Sequence, residues 1–144
     1  LKTGEYSPAA TVPTVANAMD VSVPSNFERL QCFYNNDSEH LRSEIKGYSY
    51  NDEAICSAIR EMNDRFGYLS CPHSATGYLA VKESGIDGFW LSTAHYAKFI
   101  NVVSSAIGAE LPLIEPFLSI SRREGVHTDL SANADLVKSV IKAY

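Results

Sequence analysis

Leu69-Ser70-Cys71-Pro72-His73-Ser74-Ala75 and Leu91-Ser92-Thr93-Ala94-His95-Tyr96-Ala97 share one pattern, L-S-x-x-H-x-A, repeated 22 residues apart in a chain of 144. Each stretch sets hydroxyl or thiol groups beside a histidine, a composition suited to a turn that leads into a helix. The free N–H groups of a helix's first turn attract anions. In open α/β sheets, ligands settle outside the carboxyl ends of the strands, where such turns gather. The competing role is local, since Ser, Thr and similar groups also cap helices by accepting backbone N–H bonds. Spacing alone leaves both roles open. Nothing else in the chain forms a constellation. His40 and His127 have no partner at ligand spacing, and Cys32, Cys56 and Cys71 form no C-x-x-C pair. Neither a metal site nor a disulfide framework is therefore expected. Three scattered thiols instead fit reduced, mostly buried side chains in a cytoplasmic protein.

The elements that must position the two turns are read from periodicity. Residues 1–26 form an irregular lead-in interrupted by Pro8, Pro13 and Pro24. Residues 27–66 read as mostly helical. Ser25 or Asn26 caps a short helix carrying Phe27, Leu30 and Phe33, and Asp37 or Ser38 caps a second through about Ile45. Residues 47–50 read as a short strand or extended link. The cleanest helix runs from Asn51 to Phe66, with Ile55, Ile59, Met62 and Phe66 on one stripe and Gly67 as its stop. Over residues 67–107 the period changes twice, giving a βαβα unit. Tyr68-Leu69-Ser70 is a strand, Pro72 opens a helix that Gly85 ends, and residues 88–92 form a buried strand. A further helix sets Tyr96, Phe99, Ile100, Val103 and Ile107 on one stripe. Residues 108–144 add a short helix ending near Arg122 and a terminal helix with Leu136, Val137, Val140, Ile141 and Tyr144 on its apolar face.

The expected fold class is α/β, a helix-rich, partial three-layer αβα arrangement with a short parallel sheet and a right-handed crossover. Two or three strands make a poor domain centre, so partner strands are expected in chain beyond these residues. The start at Leu1, without an initiator Met and without the apolar stretch of a signal peptide, points the same way: the chain is processed or is part of something longer. With 45% hydrophobic and 20% charged residues the composition is globular, which excludes disorder and coiled coil. A net charge of −5 removes the drive for nonspecific nucleic-acid binding. Apolar runs fall short of the ~18 residues a membrane helix needs, so no span is expected.

Three stretches carry a resemblance. Leu91-Ser92-Thr93-Ala94-His95-Tyr96-Ala97-Lys98-Phe99 resembles the S/G-T-A-H-P-A-K-F signature of the threonine synthase family, with Tyr96 in the usual Pro position. Asn17-Ala18-Met19-Asp20-Val21 with Pro24-Ser25-Asn26-Phe27-Glu28-Arg29 resembles its N-A-M-D-V-x-x-P-S-N-F-x-R segment, and Pro72-His73-Ser74-Ala75-Thr76-Gly77-Tyr78 its P-H-T/S-A-x-G-Y segment. The resemblance covers residues 17–99 and weakens beyond about residue 112. It implies the C-terminal part of a pyridoxal 5'-phosphate enzyme of the tryptophan-synthase-β-like fold (fold type II). Such enzymes convert O-phospho-L-homoserine and water to L-threonine and phosphate. The family's Schiff-base lysine in S-F-K-D/E and its glycine-rich phosphate turn have no counterpart among these residues. The segment is therefore expected to be inactive alone and to need the N-terminal part of the same protein.

The resemblance also assigns roles. Thr93 matches the hydroxyl residue that faces the pyridine nitrogen of the cofactor. A neutral hydroxyl there gives a hydrogen bond without enforcing a protonated ring, which moderates the ring as an electron sink. Lys98 supplies a point charge to a phosphate or is a solvated lysine; His95 and His73 contact substrate or fix their turns. Ser25 and Asn26 line the pocket or cap the helix at Phe27, and Asp20 anchors the lead-in. The sequence leaves two alternatives: a stand-alone interaction or regulatory module derived from the enzyme, and another pyridoxal-phosphate lyase. If the segment folds in isolation, an exposed apolar patch is expected where the rest of the protein would pack, covered by a second copy.

Overall fold

The computed structural model describes residues 4–17, 21–125 and 127–143. They fall into two compact units, Leu1–Pro112 and Leu113–Tyr144. In the first unit, helices α1 (Phe27–Phe33), α2 (Ser38–Glu44), α3 (Asp52–Phe66), α4 (Pro72–Ser84) and α5 (Ile100–Ile107) follow in order, with a 3-10 turn, Tyr96–Phe99, leading into α5.

The helix α3 organises this unit. Asn51 Oδ1 accepts the Ala54 N–H at 2.9 Å and starts it. Gly67 stops it with φ 63°, a left-handed conformation that a side chain would strain. Its Ile55, Ala58, Ile59 and Met62 are buried, and α4 and α5 close over them with Ala75, Tyr78, Val103 and Ala106. Phe66, the fourth member of the expected stripe, is instead 59% exposed and meets Tyr78 only edge-on. The Arg60 guanidinium fastens α5 by donating to the Ala106 carbonyl at 2.7 Å. At Gly77 the backbone of α4 comes so near Trp90 that an added Cβ would sit 3.1 Å from the Trp90 Cβ. Through that contact the segment before the second turn lies against α4.

The expected strands do not form among the described residues. Residues 47–50, 68–70 and 88–92 run without ladder hydrogen bonds, so neither the parallel pair nor the βαβ unit is present. A strand exists only through bonds to a neighbouring strand. Here 68–70 and 88–92 meet through side chains, Tyr68 OH lying 3.0 Å from Ser92 Oγ. Nor is 88–92 buried: Phe89 is 84% exposed and Leu91 74%.

The first two helices make a separate cluster within the unit. Asp37 Oδ1 accepts the Glu39 and His40 N–H groups at 3.0 Å each and caps α2, as its position predicts. Asn26 stands at the start of α1 but makes no side-chain capping bond. The buried Tyr34 donates its hydroxyl to Glu44 Oε2 at 3.0 Å. His40 Nε2 lies 3.2 Å from Glu44 Oε1, so this histidine has a partner one turn away after all. Asp20, expected to anchor the lead-in, lies outside the described residues.

The second unit holds α6 (Phe117–Ser121) and α7 (Ala134–Ala143). Asn133 Oδ1 accepts the Asp135 and Leu136 N–H groups at 3.0 Å each, holding the first turn of α7. On that helix Leu136, Val137 and Ile141 stay exposed. Tyr144, placed on the same face by its spacing, lies outside the described residues. No described helix is long and apolar enough to cross a membrane.

Candidate functional site

The two turns that share the L-S-x-x-H-x-A pattern do come together. At the first, Cys71 rather than a hydroxyl or the histidine is the cap of α4. Its Sγ accepts the Ser74 N–H at 3.4 Å and lies 3.1 Å from Ser74 Oγ. Pro72 occupies the first turn, where its missing N–H costs nothing. Ser70 and Ser74 are wholly buried, and Ser70 satisfies itself by donating to the Cys71 carbonyl at 3.0 Å.

Ser74 then reaches across to the second turn. Its Oγ accepts the Thr93 N–H at 3.1 Å and lies 3.3 Å from Ser92 Oγ, which continues to Tyr68 OH. His95 starts the 3-10 turn as its cap, Nδ1 accepting the Ala97 N–H at 3.1 Å. That bond assigns the neutral imidazole its proton on Nε2.

Between the turns lies an open concavity of about 550 Å³ lined by residues 67–69 and 92–96. Thr93 and His95 both line it. Thr93 is exposed there, and its hydroxyl has no partner among the described residues. Tyr68 and Tyr96 supply aromatic surface to the same hollow. Its lining contains no carboxylate and no amine. Such a set can donate hydrogen bonds and offers flat aromatic surface, and its lining includes no lysine or cysteine.

The other sequence candidates lie elsewhere. His73 is half-buried and packs its ring 5.1 Å from that of Phe99, outside the lining of the concavity. Lys98 lines a different hollow of about 410 Å³ with Thr14, Val15 and Asn17. Ser25 and Asn26 are exposed and line neither. Among the described residues no group of three or more His, Cys, Asp or Glu is placed to hold a metal. All three cysteines are free, but Cys32 is exposed and Cys56 half-buried, so only Cys71 is the buried thiol that composition suggested. The sequence reading missed Tyr68, Ser92 and above all Ser74. Its signal was present: Ser74 stands three residues after the cap position of a helix, beside the turn rather than within the core stripe.

The strongest electrostatic shift lies away from this hollow. Lys82 at 2.6 Å and Arg65 at 2.8 Å hold the Glu61 carboxyl down at about 2. Burial, and then the bond to Glu61, raises the nearby Tyr78 hydroxyl. This cluster ties α3 to α4 and has no open partner-facing group that suggests catalysis.

A sequence model of the C-terminal region of threonine synthases matches residues 74–141. The match thus continues well past residue 112, where the motif resemblance faded. A threonine synthase from Serratia marcescens is 39% identical over 116 residues, which take in 78% of this chain and 27% of that relative. The crystal structure of threonine synthase from Escherichia coli superposes on 99% of this chain and 33% of its own, with TM-score 0.71 and 29% identity. The structure of a pyridoxal-phosphate-bound threonine synthase from Brucella melitensis shares the fold, with TM-score 0.64 and 23% identity over 99% of this chain and 36% of its own. The chain therefore spans about a quarter to a third of the proteins it matches.

Proposed function

We propose that this chain, which carries the sequence and the fold of the C-terminal region of threonine synthases, supplies the cofactor-facing wall of such an enzyme. The whole protein then converts O-phospho-L-homoserine and water to L-threonine and phosphate with pyridoxal phosphate. The observation that carries this reading is the Thr93 hydroxyl, without a partner among the described residues and exposed in a hollow edged by Tyr68, His95 and Tyr96 and free of carboxylates. That donor set fits the pyridine edge of the cofactor. No lysine or glycine cradle in the lining fits its aldehyde or its phosphate, so those contacts fall to the remainder of the protein. When bound, the cofactor supplies electron withdrawal from the substrate's reacting carbons. The Thr93 hydroxyl donates to the ring nitrogen and, lacking a charge, leaves that nitrogen neutral. His95 keeps the turn in shape through Ala97. Lys98, which lines a different hollow, offers its positive charge to phosphate.

The same reading accounts for the missing ladder bonds. Residues 68–70 and 88–92 become strands of a short parallel sheet when the rest of the protein lies beside them, and Phe89 and Leu91 are then covered. The free thiols suit a reducing, cytoplasmic setting. The test is phosphate release from O-phospho-L-homoserine. We expect it from the complete protein and not from these 144 residues alone. Turnover by the 144 residues alone overturns the division of labour, and a complete protein that binds the cofactor but ignores this substrate overturns the activity.

A further inference from the structure

The Thr93 hydroxyl is useful only if the turn bearing it is held, yet Thr93 itself is exposed and the chain before it, 88–92, has no ladder bonds. The Thr93 backbone itself is held by a buried atom of α4. Ser74 Oγ, with no exposed surface, accepts the Thr93 N–H at 3.1 Å. The same oxygen lies 3.1 Å from Cys71 Sγ and 3.3 Å from Ser92 Oγ. A hydroxyl has one proton to give and two lone pairs, so the Thr93 N–H fills one acceptor site and leaves the proton for the thiol or for Ser92. The orientation of Ser74 is in turn set by its place one turn into α4, where its own N–H is bound to the cap.

We propose that Ser74 is the positioning residue for Thr93, the buried hydroxyl that holds the Thr93 backbone so that its side chain faces the ring nitrogen of the cofactor. This rests on the reading of Thr93 given above. An alternative purely structural role, filling space at the α4 start, needs only a small side chain. The proposal needs an oxygen acceptor aimed at residue 93. Lost hydrogen bonds of this kind are worth about a five- to tenfold change in a local equilibrium.

The experiment uses the complete protein loaded with isotope-labelled pyridoxal phosphate. It reads the ring-nitrogen chemical shift and the hydrogen exchange of the Thr93 amide. Thr93→Val sets the scale, moving the nitrogen shift by removing the donor. Ser74→Ala is expected to move it in the same direction, to speed Thr93 amide exchange about tenfold, and to leave α3 amides unchanged. Ser74→Thr, which restores an oxygen, is expected to return both signals toward the parent values. Should Ser74→Ala fail to fold, Ser74→Cys keeps a small side chain with a weak acceptor and is expected to show the same two changes. If Thr93→Val moves the nitrogen shift while the Ser74 variants leave both signals unchanged, the positioning role is overturned. If Thr93→Val itself leaves the shift unchanged, the reading of Thr93 falls first and takes this one with it.

Discussion

A sulfur does the work of a capping oxygen at the start of α4. Cys71 Sγ takes the Ser74 N–H at 3.4 Å, a long bond suited to a large, weak acceptor. Cys71→Ala is expected to lower stability by about 1 kcal/mol, the usual worth of a cap, whereas Cys71→Ser keeps it; urea unfolding of the two variants checks this. Gly77 is the second residue with a specific demand. Alanine in a helix ordinarily gains about 1 kcal/mol over glycine. Here the added methyl meets Trp90 at its Cβ and Cδ1, 3.1 and 3.2 Å away, and the Trp90 ring is backed by Tyr78. The contact involves the root of the side chain rather than a flexible tip, so overpacking of about 1–3 kcal/mol outweighs the gain. Gly77→Ala is expected to destabilise the protein and to shift Trp90 fluorescence. An unchanged spectrum with raised stability would contradict that balance.

At the scale of elements, the span of α3 was legible because what makes it is local, the stripe Ile55–Ile59–Met62 within it and Gly67 after it. Only Phe66, expected on the same stripe, stays exposed, and Asn51, expected as the first residue, is the cap. The start of α2, narrowed to Asp37 or Ser38 and capped by Asp37, and the stop of α4 at Gly85 were legible for the same reason. The strands were not. Their apolar composition at 88–92 registered a need to be covered but could not say whether the cover lies within these residues. The site was half legible: a motif marks Thr93 and His95, but it also drew in Lys98, His73, Ser25 and Asn26, which the fold distributes elsewhere. The bridge from Ser74 to Thr93 joins residues 19 apart, and no periodicity reports it. A pH prediction belongs to α3 and α4. Folding lowers the Glu61 carboxyl from 4.5 to about 2, so its contribution is complete above pH 4.5 and fades as pH falls through 2. Because Lys82 and Arg65 are more than half exposed, that contribution is about 1 kcal/mol. Glu61→Gln is expected to cost this amount at neutral pH and progressively less below pH 4.5, vanishing only below pH 2, as acid-unfolding curves of the pair will show.

For the whole molecule the telling surface is the one around Phe89 and Leu91, apolar and uncovered beside the hollow that holds Thr93. Replacing both by Asp is expected to make the separately produced chain more soluble and to abolish its co-elution with the rest of the protein. Co-elution that survives both substitutions would place the junction elsewhere. The three thiols add a gauge of how this chain opens. Cys32 stands in solvent, Cys56 is partly covered, and Cys71 is sealed beneath a bond to its own helix. A thiol reagent added to the native protein should therefore read three separate times. The first is set by the reagent alone, the second by breathing along α3, and the third by the opening that frees the α4 start. The slowest label then clocks, without any substrate, how often the turn beneath Thr93 comes undone.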